Sequence, residues 1–84
     1  MYRINEDVAV DVFEDGVVLQ LGEEFFVADM MAFEILQHLI KTQNIDCTIY
    51  HLLEVYNTSI QKITADVYEL LELFINMEII RKNE

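Results

Sequence analysis

The feature that most constrains this chain is the pair Asp15-Gly16, set between two runs of period-two alternation. Val8, Val10 and Val12 alternate with Ala9, Asp11 and Phe13, the pattern of a half-buried strand. Asp-Gly is the favoured pair for a two-residue type I′ turn, because both central residues need positive φ. That turn predicts a register in which Glu14 faces Val17, Val12 faces Leu19 and Val10 faces Leu21, with the large aliphatics on one face. Gly22-Glu23 supplies a second tight turn, with glycine first as type II′ prefers. Leu19 then faces Phe26, and Phe25 and Val27 point to the opposite side with Phe13 and Val18; one extra loop residue would reverse Phe25 and Phe26. The expectation is a three-stranded antiparallel meander over about residues 8–27, apolar on both faces. Its last strand, Glu24 to Ala28, has a free edge guarded by neither proline nor a charge within the apolar run.

At Asp29 the period changes from two to helical. Ala32, Ile35, Leu36, Leu39 and Ile40 form an i, i+3, i+4, i+7, i+8 stripe, with Asp29 as N-cap. Helices are predicted over about 29–42, 47–57 and 60–77. The second buries Ile49, Leu52, Leu53 and Tyr56; the third, capped by Ser59, buries Ile63, Val67, Leu70, Leu71 and Phe74. The fold class is therefore α+β: a three-stranded antiparallel meander followed by three helices, winged helix-turn-helix-like, in a single domain over 1–84. The third helix is wider in apolar residues than one core stripe needs. Tyr68 and Ile75 lie on one flank and Leu73 on the other, near Asp66. Exposed apolar area beside a free strand edge is the arrangement that strand addition of a peptide uses.

Charge narrows the partners. Against 5 Lys and Arg stand 16 Asp and Glu, for a net charge of -11. Counterion release from a phosphate backbone needs clustered cations, and Lys41, Lys62, Arg81 and Lys82 are scattered, so no nucleic-acid partner is expected. The same field attracts basic peptides. No apolar run approaches the roughly 20 residues of a membrane span, and Tyr2-Arg3-Ile4-Asn5 has neither the basic start nor the apolar centre of a signal peptide. With Cys47 as the single cysteine, a cytoplasmic, non-membrane protein is expected.

Catalytic patterns are weak. Cys47 and His51 share a helix face but make only two ligands, so no metal is expected. His38 reads as a partly exposed helical residue rather than a general base. Ser59 is a cap, neither glycine belongs to a phosphate loop, and the carboxylates fall on exposed faces. No enzyme activity and no cofactor are expected. Met30, Met31, Met77 and Phe33 either cover the sheet or form a pliable surface through which the chain pairs as a homodimer.

The order of Asp15-Gly16-Val17-Val18-Leu19, Phe25-Phe26, the helix Met31 to Leu36, the stretch Ile49 to Tyr56, the run Ala65 to Leu71 and the closing pair Ile79-Ile80 resembles the PqqD family, the precursor-peptide recognition elements of ribosomally made, modified peptides. The resemblance runs from about Val8 to Ile80 and rests on order and spacing rather than on one motif. It departs at Glu78, where the family often has a helix-ending glycine. The resemblance implies a non-catalytic domain that binds the leader segment of a precursor peptide. The leader adds as a strand to Glu24, Phe25, Phe26, Val27 and Ala28, and its side chains enter a groove walled by Asp66, Tyr68, Glu69, Leu70, Leu73 and Ile75. The domain delivers the peptide to a separate modifying enzyme such as a radical-SAM enzyme, a cyclase or a leader protease. The competing reading is a winged-helix-like module that binds a protein partner or itself, with no precursor peptide.

Overall fold

The period-two segments are strands and the period-3.6 segments are helices in the computed structural model, which describes residues 1–82. The order is β1 (Tyr2–Ile4), β2 (Ala9–Phe13), β3 (Gly16–Leu21), β4 (Glu24–Ala28), α1 (Met30–Thr42), α2 (Ile45–Val55), α3 (Ile60–Asn76) and β5 (Ile80–Lys82). Strands β2, β3 and β4 form the expected antiparallel meander, with β3 in the centre and β4 at one edge. Three helices follow it, so the α+β, winged-helix-like architecture read from the sequence is the one observed.

The first turn differs from expectation. Phe13 pairs with Gly16, Val12 with Val17 and Val10 with Leu19, so the two turn residues are Glu14 and Asp15, and the register is slipped by two. Neither turn residue has positive φ, and neither does Gly16. The turn is of the ordinary unprimed kind, in which glycine is favoured at the fourth position. Gly16 is required for another reason: a Cβ there would stand 2.9 Å from the carbonyl oxygen of Ala28 on β4. Because the slip is even, each side chain keeps its face. The second turn has the expected register, Leu19 opposite Phe26, and Gly22 takes φ +63°.

Val17, Leu19 and Ala28 are buried on the inner face, where α1 and α3 cover them, and Phe26 is half-buried beside them. One buried cluster joins the sheet to the helices through Val17, Leu19, Leu36, Leu39, Leu71, Phe74, Ile79 and Ile80. A second, of Ile35, Ile49, Leu52, Ile63 and Val67, holds the helix trio together. The caps are local chemistry: Asp29 accepts from Ala32 N–H at 2.8 Å and Ser59 accepts from Lys62 N–H at 3.2 Å. The middle helix begins at Ile45 because Asn44 caps it, accepting from Cys47 N–H, and it ends at Val55.

A two-stranded sheet absent from the sequence reading pairs β1 with β5, Ile4 opposite Ile80. It is fastened by buried Asn5, whose backbone N–H donates to Ile79 and whose side-chain amide donates to Glu78. Gln43, at φ 58°, clamps β1 by accepting from Tyr2 N–H and donating to Tyr2 C=O. At the end of α3, Glu78 takes φ 61° while Glu78 N–H donates to Ile75 and Ile79 N–H to Phe74. This is a Schellman end, with Glu78 at the position glycine usually fills.

Candidate functional site: the groove between the edge strand and the third helix

The closing pair of the second hairpin is Leu21 with Glu24. In a two-residue hairpin that pair exchanges backbone hydrogen bonds, and bonded pairs recur at every second position. Glu24, Phe26 and Ala28 therefore turn their N–H and C=O groups toward β3. Phe25 and Val27 turn theirs toward the open edge, while their side chains stand on the outer sheet face, 64% and 74% exposed. Strand β4 thus offers donors and acceptors from two residues to any strand laid beside it.

Beside that edge runs a groove of about 640 Å³ between β4, the start of α1, and α3. Its apolar lining comes from Phe26, Ala28, Met31, Ala32, Leu70 and Leu73, and Val27 borders it from the edge strand with its side chain on the outer face. Its polar lining is Asp29, Asp66, Glu69, Glu72 and Asn76, with no basic residue among them. Lys62 places its Nζ 3.6 Å from Asp66 on a largely exposed side chain. Two contacts orient the groove. Phe26 meets Phe74 edge-to-face at 5.5 Å, and Met31 packs on the cluster containing Ile63 and Val67. The Phe26 end of β4 therefore lies toward the C-terminal half of α3, and the start of α1 lies toward its N-terminal half.

Of the candidate residues, Phe26, Val27, Ala28, Asp66, Glu69, Leu70 and Leu73 meet in the groove. Phe25 contributes its backbone to the edge, and Glu24 lies at the turn, outside the groove lining. Tyr68 and Ile75 stay outside. They occupy the other flank of α3, Tyr68 51% exposed and Ile75 packed on the sheet-side cluster. At about 100° per residue, Tyr68 and Ile75 fall on the side of Leu71, whereas Asp66 and Leu73 fall on the side of Leu70. The extra width of the helix therefore belongs to the groove on one flank only. Asp29, Met31, Ala32, Glu72 and Asn76 also line the groove, beyond the residues the sequence singles out. Met31 lies off the main stripe of α1, and Glu72 and Asn76 follow Glu69 and Leu73 by one turn.

A second cavity of about 540 Å³ lies over α1 and α2, lined by Ile4, Glu34, Gln37, His38, Ile40, Lys41 and His51. His51 Nε2 is 2.8 Å from one Glu34 carboxylate oxygen, and Tyr56 donates its hydroxyl to the other at 3.1 Å. Burial, and then this bond to Glu34, push the Tyr56 phenol above its ordinary pKa. His38 stacks on His51, with ring centroids 4.2 Å apart, and its Nδ1 lies 3.3 Å from Thr48 Oγ1. Burial, then the neighbouring His51 and Lys41, lower the His38 pKa. This network ties α1 to α2. Cys47 is exposed, and among the described residues no three metal-ligating side chains converge. No helix among them is long and apolar enough to cross a membrane.

Fold and site together define a class: a winged-helix-like α+β domain whose β4 edge, unpaired among the described residues, lies beside an apolar, acid-rimmed groove. Two solved structures share the fold over nearly their whole length. One is TbiB1 in complex with the TbiA(beta) leader peptide, with a TM-score of 0.82 and 18% identity over 98% of each chain. The other is a lasso peptide synthetase B1 complexed with the leader peptide, with a TM-score of 0.85 and 18% identity over 96% of this chain and 98% of that one. No family model matches the chain, and no curated protein matches it.

Proposed function

We propose that this protein is a non-catalytic binder of the leader segment of a ribosomally made precursor peptide, which it delivers to a separate modifying enzyme. The observation that carries the reading is the groove itself: an unpaired β4 edge beside Leu70 and Leu73, in a fold shared with two proteins solved with leader peptides bound. The leader pairs through the backbone of Phe25 and Val27, which supplies affinity with little sequence demand, and the groove selects side chains.

Titration with synthetic leader peptides encoded beside the gene tests this. Micromolar or tighter binding is expected, weakened at least about tenfold by Leu73→Asp, which sets a charge against the apolar side chains of the peptide. Val27→Pro removes an outward N–H without touching the ladder to β3, a place where proline is tolerated. It should abolish strand addition while leaving the chain folded by circular dichroism. If no neighbouring short peptide binds, or if a folded Val27→Pro variant binds normally, the reading fails.

A further inference from the structure

The three-stranded meander has a second face that the groove does not use. Helices α1 and α3 cover the inner side over Val17 and Leu19, while every residue of β2 is exposed. Side chains at every second position of a strand share a face. The register therefore places Phe13, Val18, Phe25 and Val27 together on the outer side. Val18 stands directly opposite Val27 and diagonal to Phe13, whose own cross-strand partner, Gly16, has no side chain. Phe13 is 57% exposed, and Phe25 and Val27 are more so. A contiguous exposed apolar patch on a small domain marks a contact surface. Asp11 stands opposite Val18, Glu14 and Asp15 form the first turn, and Glu23 and Glu24 lie at the second, all of them exposed. Between Arg3 and Lys41 the chain has no Lys or Arg, so nothing in the meander offsets that charge.

The leader edge borders this face. A strand added to β4 continues the pleat, so its side chains beside Phe25 and Val27 lie on the outer side and widen the patch. Resting on the leader-binding reading above, we propose that the outer face is where the modifying enzyme docks, through a surface with an apolar centre and a rim of Lys or Arg. Phe13 and Phe25 are the anchors, and Asp11, Glu14 and Asp15 meet the cations around them, the usual division into apolar core and polar rim. Charge decides between occupants. A second copy of this chain would set carboxylate against carboxylate, with -11 on each side, whereas a basic partner is drawn in. The enzyme then touches the domain and the outward leader side chains at once. A bound leader adds area to that contact and raises the affinity of the enzyme, and by linkage the enzyme tightens the leader.

The test titrates the purified modifying enzyme encoded beside the gene against this protein, with and without saturating leader peptide. Binding should tighten at least about fivefold when the leader is present, and should weaken as salt rises. Phe13→Ser removes an anchor and Asp11→Lys reverses a rim charge, both on β2, which β3 separates from the β4 edge. Each should weaken enzyme binding about tenfold while leader affinity stays within about twofold of wild type. Both residues are exposed, and circular dichroism checks the fold; if Phe13→Ser does not fold, Asp11→Lys carries the test. Sedimentation covers the other occupant: a wild-type dimer that Phe13→Ser dissociates would put a second copy on this face and overturn the proposal. If the folded variants bind the enzyme as wild type does, or if the enzyme ignores the leader-loaded domain, this docking surface is wrong and the leader-binding reading stands. If no leader peptide binds, both fall.

Discussion

Phe26 on the edge strand and Phe74 on the third helix meet edge-to-face, with centroids 5.5 Å apart and planes at 84°. The contact makes the floor of the groove part of the core. Phe74 is fully buried, so Phe74→Ala should cost about 3–5 kcal/mol, close to the whole stability of a domain this size. Half-buried Phe26→Ala should cost less, about 1–3 kcal/mol. Urea unfolding of the two single variants and the double should return a coupling of about 0.5–1.5 kcal/mol for the aromatic pair. A coupling near zero would mean that the two rings act independently.

Gly16→Ala should destabilise the sheet and weaken peptide binding together. The added Cβ would stand 2.9 Å from the Ala28 carbonyl, and backbone cannot move aside as a side-chain tip does. A cost of about 1–3 kcal/mol is expected, as for overpacking elsewhere. The β4 edge must shift to accept the methyl group, so affinity for a strand-forming peptide should fall as well. A type I′ turn at Asp15-Gly16 would give a different result, because alanine would then lose stability by backbone strain alone and leave the distant edge intact.

That distinction also shows how much was legible in the sequence. Parity survived: Val17, Leu19 and Phe26 face inward whichever of two even-slipped registers is chosen, so the faces were readable even though the first turn was misplaced. What could not be read was why Gly16 is a glycine, since its reason lies on another strand. The β1–β5 sheet was invisible for a related cause. Three residues are too few to display a period, and the partners Ile4 and Ile80 are distant in sequence. In the groove, helical spacing gave the two flanks of α3, with Tyr68 and Ile75 on one and Asp66 and Leu73 on the other. Only packing against β4 decides which flank is lined by the edge strand.

Glu78→Gly should stabilise the protein. Glu78 holds φ 61° at the Schellman position, a conformation that costs a residue with a Cβ about 1–2 kcal/mol. Glycine also gains freedom in the unfolded chain, which offsets part of that relief. A net gain of about 1 kcal/mol is expected, or roughly 4–8 °C in Tm. Differential scanning calorimetry checks it. A lower Tm would show that the Glu78 side chain contributes more than its backbone conformation costs.

Acid should loosen the junction of α1 and α2 through His38. Its ring stacks on His51 at 4.2 Å and lies near Thr48, with Lys41 and the Glu34 carboxylate as the other charges facing it. Burial, aided by His51 and Lys41 and opposed by Glu34, lowers its pKa below the ordinary 6.5. The folded state therefore prefers the neutral ring more than the unfolded chain does. This contribution is complete above about pH 6.5 and is lost as pH falls through the depressed folded value. Wild-type Tm should drop between pH 7.5 and 5 by more than that of His38→Gln, which keeps a polar group near Thr48 but cannot titrate. Because the carboxylates are common to both proteins, the difference between the two curves reports His38 together with its coupling to the stacked His51. Parallel curves would show that its protonation is not linked to folding.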